Sequence, residues 1–206
     1  MQINFVAKKD IVMKKVLIEN GHGINTPGKR SPDNRVIEGR YAREIARRVA
    51  LELEERGVPY ALICPEDEDT PLRTRVYRAN TLNSQYRDGT ILVSLHSNAA
   101  GSDGKWHNAH GMSAHVALNA SANSKTFARC LISSFESNDM CVRKYNGDRE
   151  PYWSQNLCIC RETRMPAVLV EMFFHDNQGD VDFATSEDGK TKIVNALVNG
   201  IMDFID

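Results

Sequence analysis

Short apolar strands alternate with amphipathic helices along this sequence, and this alternation is the feature that most limits the fold. The run Val16–Ile18 ends at a glycine-containing turn, and a helix over about 37–56 follows it, with apolar residues recurring every four positions. Continuous apolar strands are also predicted over Thr90–Leu95 and Ala167–Val170. This order of elements predicts a single α/β domain with a mixed, mostly parallel sheet that is flanked by helices on both faces.

Weaker patterns supply the other elements. Gly57 and Pro59 end the first helix, because glycine favours the C′ position and proline prevents the helix from resuming. The polar segment Ser137–Ser154 contains glycine and proline and is predicted to be a long loop. The further predicted elements are strands at Tyr60–Cys64, Met112–Leu118 and Leu157–Cys160, and helices at Leu72–Asn83, Ser124–Glu136 and about 186–204.

One domain accounts for a length of 206 residues, which falls within the usual size of a single domain. We assign residues 14–206 to this domain and residues 1–13 to an N-terminal arm, with Met13 as an alternative start. The N-terminus lacks the long apolar segment and cleavage site of a secretory signal, and no stretch approaches the roughly 18 apolar residues of a transmembrane helix. We therefore expect synthesis in the cytoplasm, so that any function outside it requires release or a dedicated export route.

Charge and cysteine content exclude several classes of protein. A net charge of −1 does not fit a nucleic-acid-binding domain, which is normally basic. The five irregularly spaced cysteines indicate reduced thiols rather than a disulfide framework. Cys158 and Cys160 form a C-x-C pair that differs from the usual spacing of zinc-binding pairs, and we interpret them as structural. We expect a monomer without nucleic acid as a partner.

Chemically capable side chains occur where the central strands end. His22, His96 and Glu171 each follow one of the three predicted central strands, and Glu38 opens the first helix. In open α/β sheets the carboxyl ends of the strands form the ligand crevice, so these side chains are expected to converge on one edge.

Two histidines and two carboxylates are the inventory of a catalytic zinc site. Zinc commonly takes three protein ligands and lowers the pKa of a water at the open position toward about 7, while a further carboxylate moves the proton. Taken singly, His22 could cap a turn, Glu38 could be favoured by the helix dipole, and His96 could be a core histidine. Glu171 is harder to explain in this way, because a carboxylate beside so apolar a run is costly to bury without a partner.

Five motifs carry a resemblance to a known enzyme family. They are V-L-I-E-N-G-H-G at Val16–Gly23, V-I-E-G at Val36–Gly39, L-R-T-R-V-Y-R-A-N at Leu72–Asn80, I-L-V-S-L-H-S-N-A at Ile91–Ala99 and M-P-A-V-L-V-E-M-F-F-H-D-N at Met165–Asn177. On these motifs the sequence resembles the zinc-dependent N-acetylmuramoyl-L-alanine amidases of the Amidase_3 type, in particular phage and prophage lysis amidases. The resemblance covers nearly the whole chain, from about Lys15 to Asp206.

The resemblance implies a specific chemistry for the four residues. It implies one zinc ion per chain, bound by His22, Glu38 and His96, with Glu171 as the catalytic residue. The implied reaction is hydrolysis of the amide between N-acetylmuramic acid and L-alanine in bacterial peptidoglycan, as in an endolysin or autolysin that acts on the cell wall.

The sequence departs from the family at two of its motifs. The family commonly has D-P-G-H-G where this chain has E-N-G-H-G at 19–23. Its late motif usually continues with glycine, phenylalanine and an isoleucine-serine-asparagine turn, where this chain has Met172–Asn177. Neither change removes a predicted ligand.

Two other functions remain open on the residues alone. A zinc peptidase that cuts within the peptidoglycan stem peptide would use the same metal and the same glutamate. A catalytically silent wall-binding protein is the alternative from another class, although the presence of all four key residues argues against it.

Several other polar residues are interpreted as structural or exposed. Ser94 and Ser97 flank His96, but the chain has no G-x-S-x-G nucleophile elbow. Trp106, His107 and His110 are expected on a solvated loop, His115 in a strand and His175 in a turn. Arg73, Arg75 and Arg78 are expected to point outward from their helix, solvated or paired with the acidic loop Glu66–Asp69.

Overall fold

The structure is a computed structural model that describes residues 14–86, 89–145 and 150–206. Its six strands are β1 (Lys15–Asn20), β2 (Tyr60–Leu62), β3 (Thr90–Asn98), β4 (Ser113–Ala117), β5 (Trp153–Gln155) and β6 (Ala167–Phe174). Its helices are α1 (Glu38–Glu55), α2 (Leu72–Gln85), α3 (Ala122–Ser137), α4 (Cys158–Arg161), α5 (Gln178–Thr185) and α6 (Glu187–Ile205).

All six strands form one sheet in the order β2-β1-β3-β6-β4-β5. The pairing of β4 with β6 is antiparallel, and every other neighbouring pair is parallel. Strands β1, β3 and β6 lie side by side within the sheet, as expected of near-continuous apolar runs, since parallel strands are buried on both faces. The predicted mixed, mostly parallel sheet is confirmed.

Alternate residues of the central strands enter two separate apolar cores, because successive side chains of a strand point to opposite faces. On one face, Ile18 and Val93 pack with residues of α1, α3, α5 and α6. On the other face, Leu17, Leu92 and Leu169 pack with residues of α2 and α4. Helices therefore cover both faces of the sheet, as predicted.

Two segments differ from their predictions. The predicted strand Leu157–Cys160 is wrong: residues 158–161 form helix α4, whose Ile159 and Cys160 are buried in the smaller core. A short apolar run does not by itself distinguish a buried strand from a buried helix, and the edge position beside β4 is taken by β5. Strand β5 belongs to the segment predicted as a long loop, and α5 was not predicted at all.

The predicted N-terminal arm, residues 1–13, lies outside the described residues. Among the helices that the structure describes, none is both long enough and apolar enough to cross a membrane.

Helices α3 and α6 approach each other closely at a glycine, which generates a stability prediction. A Cβ added to Gly200 would lie 2.8 Å from the Cα of Leu131, whereas one added to Gly179 in α5 would find its nearest atom at 3.4 Å. We expect Gly200→Ala to lower the free energy of unfolding by about 1–3 kcal/mol through overpacking. Gly179→Ala is the matched control and should be neutral or stabilising in chemical denaturation. Equal effects of the two substitutions would contradict this account of the contact.

Candidate metal centre

The polar residues of the site share one face of the sheet, the face covered by α2 and α4. Glu19, Ser94, His96 and Glu171 lie at the alternate positions that follow the apolar residues of that face in β1, β3 and β6. His96 and Glu171 are register partners in adjacent parallel strands. The sequence pattern placed both residues directly after their strands. In the structure they lie within the strands, because β3 and β6 continue to Asn98 and Phe174.

Three of the predicted residues come together at the carboxyl end of the sheet. Glu38 is the first residue of α1, and its Oε1 lies 3.0 Å from His96 Nδ1 and 3.7 Å from His22 Nε2. His22 follows β1 in a left-handed conformation with φ of 53°, and its ring lies edge-on to that of His96. One ligand atom from each of the three residues lies within 4.8 Å of the others.

The chemistry of this group fits a zinc ion. Two imidazole nitrogens and a carboxylate oxygen are a common ligand set of catalytic zinc, which leaves a coordination position open. The Oε2 atom of Glu38 is buried without a hydrogen-bond partner, and Lys29 Nζ lies 4.0 Å from it, beyond hydrogen-bond distance, so this oxygen remains available to a metal ion. Gly21 keeps the ring of His96 close to the strand end, because a Cβ at that position would overlap the imidazole. In the part of the chain that the structure describes, this is the group able to hold a metal ion.

Glu171 lies beside this group with a distinct electrostatic state. Burial raises the pKa of its carboxyl to about 7, with His96 acting in the opposite direction. Its Oε2 is buried and has no hydrogen-bond partner. A carboxyl whose pKa lies near neutrality can both accept and return a proton, which is the requirement for a general acid/base.

The other charges in the group are strongly coupled. Burial disfavours the charged carboxylate of Glu38, yet contact with His96 and His22 lowers its pKa to about 2. Burial likewise opposes charging of His96, but hydrogen bonding to Glu19 and Glu38 raises its pKa to about 10. Burial lowers the pKa of His22 to about 4. The carboxylates of Glu38 and Glu19, on either ring nitrogen of His96, therefore favour a positive charge at this site.

Sequence reasoning missed the buried carboxylate of Glu19. This residue is 1% exposed, bonds to Arg75 and Ser94, and places Oε2 at 3.8 Å from His96 Nε2. The expectation that Arg75 points outward was wrong, since its side chain is 3% exposed, but its predicted pairing with the acidic loop is confirmed by Asp69 at 2.7 Å. A charged residue that directly follows the apolar run of the first strand was the available signal for Glu19.

The remaining candidates fall into two groups. His175 lies in the predicted turn but is buried, with Nδ1 at 2.9 Å from Ser97 Oγ and 4.0 Å from Glu38 Oε2. His115 is buried in β4, as expected of a structural residue, and is in contact with Ser113. The loop residues lie outside the metal-capable group: His107 bonds to Asp103, while His110 and Trp106 are exposed.

Two cavities flank the metal-capable group. One, of about 620 Å³, is lined by His22 and His96 together with mostly apolar side chains that include Leu72 and Ile159. The other, of about 480 Å³, lies between residues 27–34 and 99–105 and is bordered by His175. One cavity therefore opens onto the two histidines, and the other adjoins Glu38 through Lys29 and His175, so that concave surfaces are available to a substrate.

An α/β sheet with imidazoles and carboxylates at the carboxyl end of its parallel strands is the arrangement of a metal-dependent hydrolase. Residues 16–203 match the Amidase_3 family, described as N-acetylmuramoyl-L-alanine amidase. The chain belongs to this family, and it is accordingly an amidase of bacterial cell-wall peptidoglycan.

Individual relatives and solved structures are similar over most of the chain. The uncharacterized protein YqiI of Bacillus subtilis (strain 168) is 24% identical over 97% of this chain and 89% of its own length. The N-acetylmuramyl-L-alanine amidase Ami1 of Mycobacterium abscessus superposes with a TM-score of 0.82 at 18% identity, covering 94% of this chain and 99% of that one. An N-acetylmuramoyl-L-alanine amidase of Clostridium difficile 630 gives a TM-score of 0.80 at 23% identity, covering 94% and 97%. At this identity the structures establish a shared fold.

The chain spans only part of some other curated relatives. It covers 60% of the probable cell wall amidase LytH of Staphylococcus saprophyticus, at 23% identity over 95% of this chain. It covers 52% of an N-acetylmuramoyl-L-alanine amidase of Mycobacterium tuberculosis.

The raised pKa of Glu171 predicts a pH-dependent cost to stability. The pKa of this carboxyl is 4.5 in the unfolded chain and about 7 in the folded chain. Its contribution to the free energy of unfolding is therefore fully present below about pH 4.5 and is lost as the pH rises through about 7. We expect Glu171→Gln to stabilise chelator-treated protein at pH 8 by about 1–3 kcal/mol, and by less at pH 5.5. The exposed Glu55→Gln is the control in thermal denaturation. A stabilisation that grows toward acid pH would contradict the assignment.

Proposed function

We propose that this chain is a zinc-dependent hydrolase that cleaves the amide between N-acetylmuramic acid and L-alanine. The observation that carries the proposal is the position of Glu171, a buried carboxyl with its pKa raised to about 7, beside a group of three side chains suited to zinc. Membership of the amidase family supports this bond as the substrate.

His22, Glu38 and His96 would hold the zinc ion. When bound, zinc would polarise the amide carbonyl and lower the pKa of the attacking water. Glu38 is itself held in place by the backbone N–H of Ser97, which donates to Oε1 at 3.1 Å. Glu19 lies 3.8 Å from the second ring nitrogen of His96, Nε2, and limits how the ring can turn, in the manner of carboxylate partners of metal-binding histidines.

Glu171 would perform both proton transfers. Its carboxylate takes a proton from the water that attacks the carbonyl carbon, and the resulting carboxylic acid then gives that proton to the departing nitrogen of L-alanine. The raised pKa suits both steps, because the proton is held neither too tightly nor too weakly near neutral pH. The products are a glycan strand that retains its lactyl carboxylate and a peptide with a free amino terminus.

The role of Glu171 predicts a loss of activity without a loss of metal. Glu171→Gln should reduce the turbidity loss of purified cell walls by at least about a hundredfold, because general acid–base catalysis typically contributes 10²–10⁴-fold. Zinc content of this variant should remain at one ion per chain, and Glu55→Gln should behave as wild type. Full activity in Glu171→Gln would assign the proton transfer to another group.

The proposed ligands predict loss of the metal itself. His22→Ala and His96→Ala should each leave the purified protein with little zinc and a dissociation constant weakened by at least about tenfold, since each removes one of three ligands. His110→Ala removes an exposed histidine outside the group and should retain zinc. Metal analysis and calorimetric titration measure these outcomes, and zinc retained by both ligand variants would overturn the proposed centre.

The bond that is cut can be identified from the products. Mass spectrometry of digested sacculi should find intact stem peptides that begin with L-alanine, together with glycan strands free of peptide. Shortened stems left on the glycan would show instead a peptidase that acts within the stem.

A further inference from the structure

A positively charged cavity lies against the metal-capable group and has no role in the chemistry described above. It is the cavity of about 480 Å³ between the loop that precedes α1 and the loop that follows β3, and we refer to it as the cationic pocket. Lys29, Arg30 and Lys105 line it, together with His175 and Asp176 from the turn after β6. Three cations at the mouth of one cavity form a site for an anion.

Arg30 and Lys105 differ from Lys29, which lies 4.0 Å from the carboxylate of Glu38. Among the residues that the structure describes, no carboxylate lies within 4.0 Å of the charged nitrogens of Arg30 or Lys105, and Arg30 contacts only the side-chain oxygen of Asn34 at 3.4 Å. Asp176 is the acidic residue of the lining: its Oδ2 accepts hydrogen bonds from the backbone N–H groups of Ala100 and Gly101, and its buried Oδ1 has no hydrogen-bond partner, so one carboxylate faces three cations. The pocket therefore keeps a net positive charge.

Two residues that line the cationic pocket lie next to the proposed ligand Glu38. Lys29 Nζ and His175 Nδ1 each lie 4.0 Å from Oε2 of Glu38. An extended peptide covers about 3.5 Å per residue, so one that leaves the metal-capable group is expected to come within reach of Lys29 after one or two residues.

The cavity on the other side has a different character. Leu72, Leu157, Ile159 and Leu169 line it, and its two acidic residues, Glu19 and Asp69, are both paired with Arg75. On the proposed reaction, one side of the scissile amide is a neutral N-acetylated sugar with its lactyl group, and the other side is a peptide that carries carboxylates. Matching charge to charge assigns the sugar to the apolar cavity and the peptide to the cationic pocket.

We propose that Lys29, Arg30 and Lys105 bind the free carboxylate of the stem-peptide residue that follows L-alanine. The pocket thereby selects stems in which this carboxylate is unmodified over stems in which it is amidated. This inference rests on the proposed amidase function and deepens it, since it names the part of the substrate that the enzyme distinguishes.

Two synthetic substrates that differ only at this group test the proposal. They are N-acetylmuramoyl-L-alanyl-D-glutamate and its amidated counterpart, N-acetylmuramoyl-L-alanyl-D-isoglutamine, each with the γ-carboxyl blocked as a methylamide so that only the α-carboxyl differs. We expect wild type to cleave the acid with a kcat/KM about tenfold higher than that of the amide, mainly through KM, because a charge-assisted contact is replaced by a neutral one.

The matched variants are Arg30→Gln with Lys105→Gln, and the control Arg47→Gln with Lys125→Gln, which removes the same two kinds of charge outside the pocket. In the pocket variant the ratio of kcat/KM for the acid to kcat/KM for the amide should fall to about 1, while cleavage of the amide is retained. The control should keep the wild-type preference. An equal rate on both substrates in wild type, or an unchanged preference in the pocket variant, would overturn the proposal.

Failure of the proposed function gives a different result. If wild type cleaves neither dipeptide, or cuts a different bond, the amidase assignment is wrong. Binding of the carboxylate by the cationic pocket is then tested by calorimetric titration of both compounds into the Glu171→Gln protein. Tighter binding of the acid that disappears when Arg30→Gln and Lys105→Gln are added would support the pocket, and equal binding of acid and amide would refute it.

Discussion

The parallel pairing of β1, β3 and β6 is the constraint on which the site depends. The amino-terminal halves of these strands are apolar on both faces and are buried in two cores. Their carboxyl-terminal halves keep the same alternation, but polar side chains replace apolar ones on the face toward α2. The register of β3 with β6 therefore places His96 beside Glu171. The pairing of β1 with β3 places His22, which follows β1, at the same edge of the sheet. Burial of the apolar halves of the strands stabilises the sheet and thereby holds the polar halves in place.

The charges at this edge are held in place mainly by other charges. Glu19 and Arg75 form a buried ion pair, and removing either partner would leave an uncompensated charge in the interior. Through Asp69 and Thr26 this pair continues to the loop that carries His22, while Glu19 also contacts His96. The network thus restrains His96 and the loop that carries His22, and one ligand atom from each of His22, Glu38 and His96 lies within 4.8 Å of the others.

Much of the fold could be predicted because periodicity is a local property. The spacing of Ile45, Val49 and Leu53 identified α1, and the apolar runs identified the central strands. The errors fell where local pattern is ambiguous. The run at 157–160 is too short to separate helix from strand, and β5 exists because a neighbouring edge was available for pairing. Arg75 looked like an exposed cation, since its buried partner lies 56 positions away in the chain.

The sequence by itself determined the α/β class, the order of its main elements, the family, and the placement of His22, His96 and Glu171 near strand ends. The family resemblance was needed to single out Glu38, which on local grounds is an ordinary glutamate at a helix start. Only the tertiary structure decided that Glu38 lies 3.0 Å from His96, that Glu19 and Arg75 are buried together, and that a cationic pocket adjoins the site. These features are distances and burial between segments far apart in the chain, which the local spacing of residue types does not encode.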